Sequence, residues 1–323
     1  MRPEISVIMS VYNGEDYLPE CIESILNQSF RDFEFVIIND GSKDNSLEII
    51  QSYSKADARI VLISRGNKGL IASLNEGIAQ AKGKFIARMD ADDISVKNRL
   101  ELQRDFLLKN EKVGVVSTNI QYFNKFNRRD WPFFFETHKE MMSLISFRSP
   151  LIHGTVMIRS ELLNKTSYDR LFEHAEDYDL WSRLILKTEF ATLKKVLYLH
   201  REHDEKVSVK HNEVQINNSL QVAKNYLNRN GVSVWDENLH KQILTTYYRP
   251  NEMDLELFLV YINAIKEQLG SEKSVMDWLK SIFIINNTNI PKWFYFKLLK
   301  SERGVLPYLS VKQKLSLLMR SVF

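Results

Sequence analysis

The sequence predicts an α/β protein: a mostly parallel central sheet with helices on both faces, followed by an all-helical carboxyl-terminal extension. Two observations carry the first part. Short runs of apolar residues alternate with amphipathic segments over the first 117 residues. Polar turn residues punctuate the end of each apolar run, as expected for strands buried on both faces and joined by helical crossovers. The third observation is the loss of strand-like runs beyond Val209, which predicts the helical part.

The elements follow in order. Ile5–Val11 reads as a buried strand, and Asn13-Gly14 turns the chain into a helix near Tyr17–Gln28 with Ile22, Ile25 and Leu26 on one face. Phe33–Asn39 is a second strand, stopped by Asp40-Gly41-Ser42, and Ser42 or Asp44 is placed to cap a helix over Ser46–Ser54. Ile60–Ile63 is a third strand, broken by Asn67-Lys68-Gly69 before a helix over Leu70–Ala81. A fourth strand ends at Asp90, a helix is expected over Ser95–Lys109, and Val113–Ser117 is again a strand. In the less regular middle, Phe133–Phe135 after Trp131-Pro132 fits a strand or a loop clamp. A strand is expected at Thr155–Ile158 and a helix from Glu176 to about Lys187. The expected domains are 1–210 and a helical extension over 211–323.

At 323 residues, with 44% hydrophobic and 26% charged residues, the chain is an ordinary globular protein rather than a disordered one. Cys21 is the only cysteine, which excludes an intramolecular disulfide and a cysteine zinc cluster. No stretch has signal-peptide form or the roughly 18 apolar residues of a membrane span. A cytoplasmic protein, free or held at the inner face of the membrane, is expected. The net charge of +3 is uneven: residues 290–323 carry +6 and the remainder −3.

Right-handed crossovers bring the carboxyl ends of parallel strands to one edge, where such folds bind ligands. Tyr12-Asn13, Asp40-Gly41 and Asp90–Asp93 are therefore expected to converge. Asp90 and Asp92 lie two apart, on one side of an extended chain. Their oxygens suit a hard cation, Mn2+ or Mg2+, held against a diphosphate. Neither a Walker-type loop nor GxGxxG follows the first strand, so the usual phosphate cradles are missing.

Five motifs in order, Val11-Tyr12-Asn13, Asn39-Asp40-Gly41-Ser42, Asn67-Lys68-Gly69, Asp90-Ala91-Asp92-Asp93 and Glu176-Asp177, resemble family 2 glycosyltransferases over residues 3–208. The resemblance implies the GT-A fold and an inverting transfer of one sugar from a nucleotide-sugar, with a UDP-sugar the expected donor, to a glycan acceptor. It implies that Val11, Tyr12, Asp40 and Asn67 hold the nucleotide. Asp90 would contact ribose or sugar, Asp92 the metal, and Asp177 would act as general base. Arg201 and His203 resemble a segment that closes over the diphosphate, His203 as a metal ligand. Asp93 fits either the acidic site or a helix cap, and His153 either the acceptor side or a structural role. Many relatives carry Arg-Asn where this chain has Leu74-Asn75, and Arg88 is a candidate to replace that arginine. The Gln-x-x-Arg-Trp signature of processive relatives is absent. A sugar-nucleotidyltransferase and a non-catalytic nucleotide-sugar-binding partner are the competing readings.

In the tail, Trp293–Lys300 and the helical face Leu315, Leu318, Met319 and Val322 mix apolar and basic residues. They fit an anionic membrane surface or a helical cap on the catalytic domain. A lipid-linked acceptor for envelope polysaccharide would suit the former. No nucleic-acid-binding module accompanies the charge.

Overall fold

The computed structural model describes residues 2–124, 126–130, 135–203, 212–245 and 255–270. The expectations for Trp131–Phe134, Ser208, Trp293–Lys300 and the last helix lie outside them. The chain divides into two compact units, Met1–His138 with Ser149–Gln215 and Lys139–Arg148 with Ile216–Phe323. The short segment Lys139–Arg148 thus groups with residues beyond the expected boundary near 210.

The first unit begins β1 (Ile5–Val11), α1 (Leu18–Leu26), β2 (Phe33–Asp40), α2 (Ser46–Ala56), β3 (Ile60–Arg65), α3 (Leu70–Gln80) and β4 (Phe85–Met89). It continues with β5 (Ile94–Ser95), α4 (Arg99–Lys109), β6 (Val113–Phe123) and β7 (Arg128–Asp130). After helix α5 (His138–Leu144), which from Lys139 on belongs to the second unit, come β8 (Met157–Arg159), α6 (Ser160–Leu163), α7 (Glu176–Leu184) and β9 (Glu189–Arg201). The sheet runs β3-β2-β1-β4-β8-β6-β9-β5, with β7 on β6. The first four strands are parallel, as expected. β8 runs antiparallel to both β4 and β6, whereas β6 and β9 are parallel. The result is a mixed sheet of GT-A type.

Alternation along the strands sorts the core into two layers. Ile5, Val7, Met9 and Val11 of β1 join Phe33, Phe35, Ile37, Phe85, Ala87 and Met89 in one cluster, which includes Cys21, Ile22 and Ile25 of α1 and Leu100 of α4. The other face of β1 and β2 is covered by α3. A β-carbon at Gly77 of α3 would lie 2.6 Å from Ile8 and 2.9 Å from Ile38. The helix packs this close because Gly77 has no side chain.

One helix starts later than the sequence indicates. Ser95 is not helical; Ile94 and Ser95 pair antiparallel with Leu199 and Tyr198, and the helix begins at Arg99. The competing partner is Gln28, whose amide donates to Ser95 Oγ at 3.2 Å and Val96 O at 2.9 Å. Ser95 N donates to Ser24 Oγ at 3.1 Å. These side chains satisfy the backbone that a helical turn would otherwise use.

In the second unit, Asn212–Arg229, Glu237–Thr245 and Leu255–Leu269 are helical. Buried His240 stacks on Phe147 at 5.7 Å and bonds through Nδ1 to the Tyr261 hydroxyl at 3.1 Å. Among the described residues no helix is long and apolar enough to cross a membrane.

Gly77→Ala tests the tight helix–sheet contact. Overpacking costs about 1–3 kcal/mol, against a helix-propensity gain of roughly 1 kcal/mol. Chemical denaturation is expected to show net destabilisation of about 1 kcal/mol; a stabilised variant would contradict this packing.

Candidate active site

The three turns at the strand ends are laced together by hydrogen bonds. Asn13, with φ 51, accepts from Lys43 N at 2.8 Å through its side chain, and its own N–H donates to Ser42 Oγ at 3.1 Å. Glu15 N donates to Asp44 Oδ2 at 3.0 Å, while Asp44 Oδ1 accepts from Ser46 N at 3.1 Å at the start of α2. Gly41 holds φ 75, and a β-carbon there would lie 2.6 Å from Asn67 N. Asp40 is buried and bonded to Arg65; it also accepts from Lys68 N and Gly69 N at 2.9 Å each. Its carboxylate therefore shapes the Asn67-Lys68-Gly69 turn. Val11 is buried beneath this platform, whereas Tyr12 is 49% exposed upon it, and Asn67 is exposed.

The acidic loop after β4 is pinned by the end of β9. Asp93 is fully buried; Oδ2 pairs with His200 Nδ1 at 2.8 Å and Oδ1 accepts from Arg201 N at 2.7 Å. It does not cap α4, whose N-cap is Asn98. Asp92 Oδ2 pairs with His203 Nε2 at 2.8 Å, and the Asp92 carbonyl accepts from Arg201 Nε at 2.7 Å. Arg201 is also paired with Glu20 at 2.5 Å, its guanidinium over the rings of Tyr17 and Phe123 at 4.6 and 4.4 Å. These contacts tie the strand end to α1 and the loop. Asp90 Oδ1 accepts from Arg88 Nη2 at 2.7 Å, and Asp90 N donates to the Tyr198 hydroxyl at 3.2 Å.

Asp177 and Glu176 open α7, half-buried and buried respectively, and stand within the field of this loop. Burial raises the Asp177 carboxyl above the ordinary aspartate range, and the charge of Asp90 adds to the rise while Arg88 opposes it. Burial and then the Asp177 charge raise Glu176, again opposed by Arg88. Asp177 Oδ1 accepts from Tyr178 N at 2.7 Å. Asp177 thus feels the charges of both Asp90 and Arg88, although 87 residues separate the two aspartates.

Around them lies a buried shell. His153 Nε2 bonds the Tyr168 hydroxyl at 2.7 Å and meets the Trp181 ring edge-on at 6.1 Å. Burial, with Arg88 beside it, lowers the His153 pKa to about 3, so the ring is neutral. Asn75 exchanges two hydrogen bonds with the Tyr168 backbone, at 2.9 and 3.0 Å. Leu74, where relatives of the resembling family carry arginine, is buried in α3. Arg99 is buried, donates to Arg88 O at 2.7 Å and lies over the Tyr198 ring at 5.1 Å.

Among the described residues no group of three or more His, Cys, Asp and Glu is gathered to hold a metal. Asp92 and His203 do form a pair, and 2.8 Å between Oδ2 and Nε2 is close to the roughly 3 Å between adjacent ligands of an octahedral ion with bonds near 2.1 Å. Such an ion would take its other ligands from phosphate oxygens and water, which suits Mg2+ or Mn2+.

Sequence reasoning missed three contributors. Tyr198 and His200 carry no local signal, because their partners lie 108 and 107 residues away. Gly154 is the third: a β-carbon there would overlap the Tyr198 hydroxyl and lie 2.5 Å from Asp90 Oδ2. The Ile152-His153-Gly154 turn offered a flag, since glycine beside a candidate site residue marks close approach.

Residues 6–167 match the family described as Glycosyl transferase family 2. An uncharacterized glycosyltransferase of Haemophilus influenzae is 30% identical over 251 residues, covering 72% of this chain and 77% of that protein. The hyaluronan synthase of Pasteurella multocida is 30% identical over 292 residues, covering 88% of this chain and 28% of the synthase. Among solved structures, S. aureus TarS 1-349 in complex with UDP-GlcNAc superposes with a TM-score of 0.61 at 21% identity, covering 94% of this chain and 90% of that one.

Gly154→Ala is expected to displace Tyr198 and Asp90 and to cost about 1–3 kcal/mol in chemical denaturation, as overpacking of a buried site does. Unchanged stability would mean that the turn is free to move away from Asp90.

Proposed function

From the chain's membership of glycosyl transferase family 2, we propose that it moves one sugar from a UDP-sugar to a hydroxyl of a glycan acceptor, with inversion. The observation that carries the reading is the placement of Asp177 in the field of Asp90 and Arg88. A carboxylate of raised basicity on one element thus faces an acidic loop on another.

In this reading Tyr12, Val11, Asp40 and Asn67 form the nucleotide platform. Asp90 takes a ribose or sugar hydroxyl, and Arg201 keeps the β9 end over the diphosphate side of the loop. Asp92 and His203 would hold Mn2+ or Mg2+, which when bound stabilises the charge developing on the departing diphosphate. Asp177 takes the proton of the acceptor hydroxyl as its oxygen attacks the anomeric carbon. The bond from that carbon to the diphosphate oxygen breaks on the opposite side, and its electron pair leaves with UDP. A single displacement of this kind inverts the anomeric centre. Neutral His153, hydrogen-bonded to Tyr168, holds the wall beside Asp177 without adding charge.

Support for a UDP-linked donor comes from TarS, solved with UDP-GlcNAc. Support for a polysaccharide setting comes from the hyaluronan synthase. The basic carboxyl-terminal segment would hold the enzyme at the cytoplasmic face of a membrane, where a lipid-linked acceptor is presented.

Three experiments test the reading. Asp177→Asn is expected to lower kcat by about 10²–10⁴-fold, the range of a lost general base, while calorimetry shows donor affinity within about twofold of wild type. The Asp177 pKa, raised to about 6, predicts for wild type that kcat falls as pH drops through about 6, since the protonated carboxyl cannot accept a proton. Turnover of Asp177→Asn near the wild-type value would remove Asp177 from this role. EDTA is expected to abolish transfer and added Mn2+ to restore it; activity indifferent to both would exclude the metal.

A further inference from the structure

Arg88 is paired in register with Ile8 across the parallel β1–β4 ladder, so both side chains emerge on the same face of the sheet. Ile8 meets α3 at Gly77. Arg88 therefore lies on the α3 side, away from the cluster that takes Ala87 and Met89. It is 5% exposed. Nη2 donates to Asp90 Oδ1 at 2.7 Å, but Nε and Nη1 are buried with no hydrogen-bond partner among the described residues.

A guanidinium cannot shed its proton, so burying it with two idle donors is unfavourable unless something outside the chain completes them. The site around it narrows what that is. The Arg88 charge is felt by Asp177, Glu176, Tyr168 and His153, and its guanidinium contacts Asp90 directly. A further anion here would face Asp90, Asp177 and Glu176 at close quarters. A neutral hydroxyl meets no such repulsion, and it both accepts and donates. Oxygen from a hydroxyl thus suits the pairing of an arginine donor with a carboxylate acceptor. Tyr168 is anchored elsewhere: its hydroxyl bonds His153 and its backbone bonds Asn75.

We propose that Arg88 is a specificity residue for the transferred sugar: its idle Nε and Nη1 donate to a ring hydroxyl, and Asp90 accepts from that hydroxyl or its neighbour. The assignment rests on the glycosyltransferase reading above and deepens it. It gives the site a means to distinguish sugars by hydroxyl position, independent of the nucleotide platform. Arg88 acts at the sugar and leaves the nucleotide to the turns around Asp40.

The test is calorimetric titration of the full chain with UDP, UDP-glucose, UDP-galactose and UDP-GlcNAc, each with Mn2+, for wild type, Arg88→Lys and Arg88→Met. Expected are a UDP Kd within about twofold of wild type in both variants, and a Kd for the best wild-type sugar donor raised about tenfold or more. The expected loss matches that of a charge-assisted hydrogen bond. The preference among the three sugars should flatten. Lysine keeps the charge but lacks the planar fork, so Arg88→Lys must lose the preference as well, and it carries the test if Arg88→Met fails to fold. A preference retained by Arg88→Lys, or UDP and UDP-sugar affinities falling by the same factor, overturns the assignment alone. Wild-type protein that binds none of the four overturns the donor reading and the assignment with it.

Discussion

Three carboxylates within four residues repel one another, and the structure around Asp90–Asp93 is the means of holding them together. At an effective dielectric near 20, two charges about 5 Å apart oppose each other by roughly 3 kcal/mol. The fold answers each carboxylate differently. Asp93 is buried against His200 and the Arg201 amide, Asp92 is paired with His203, and Asp90 is met by Arg88. Two of the three partners come from the end of β9. The crossing of that strand beside β6, with its short antiparallel pairing to β5, is thus what makes the loop possible.

The same division of labour separates structure from chemistry. Burial pushes the Asp93 carboxyl up while His200 pulls it down, and every bond it makes is internal to the loop and strand. It is best understood as the anchor. Asp92 keeps a half-exposed oxygen beside His203, and Asp90 lies between Tyr198, Arg88 and the turn at Gly154. A sequence of four residues therefore contributes one fastening and two chemical groups, a distinction that spacing alone does not make. Arg99 reinforces it from below, its burial lowering the guanidinium pKa to about 10 while it donates to the Arg88 carbonyl.

The parallel half of the fold was legible because its signals are local. Mainly apolar runs in β1, β2 and β4 follow from burial on both faces, and Asn13-Gly14, Asp40-Gly41 and Asn67-Lys68-Gly69 close β1, β2 and β3 with residues suited to turns. The convergence of Tyr12, Asp40 and Asp90 then follows from handedness. What was illegible depends on long-range pairing. Ser95 lies in a segment of helical appearance, yet Leu199 and Tyr198 take its backbone into a strand. Asp93 has the look of a helix cap, but the residue that claims it is His200. Asp40, expected at the nucleotide, also holds Arg65 and the Lys68 and Gly69 amides, partners that spacing does not announce. Local patterns cannot report partners that arrive from a distant strand.

Asp177 and its surroundings illustrate how opposed influences set one property. Burial and Asp90 raise the Asp177 pKa, and Arg88 restrains it, with the outcome at about 6. At that value the carboxyl is mostly ionised at neutral pH and able to accept a proton. Exposed to water, it would be ionised but roughly a hundredfold weaker as a base. The ideal catalytic group has a pKa near the working pH, and here burial is opposed first by the Tyr178 amide and then by Arg88, an arginine that also contacts Asp90. Arg88 thus acts on two carboxylates that lie on different elements: Asp90 just after β4 and Asp177 at the start of α7. Moving either element relative to the other would disturb the basicity of the second carboxylate together with the position of the first. The polar loops at the sheet edge therefore need a rigid sheet beneath them, and the close contact of α3 with β1 and β2 at Gly77 supplies that rigidity beside Arg88.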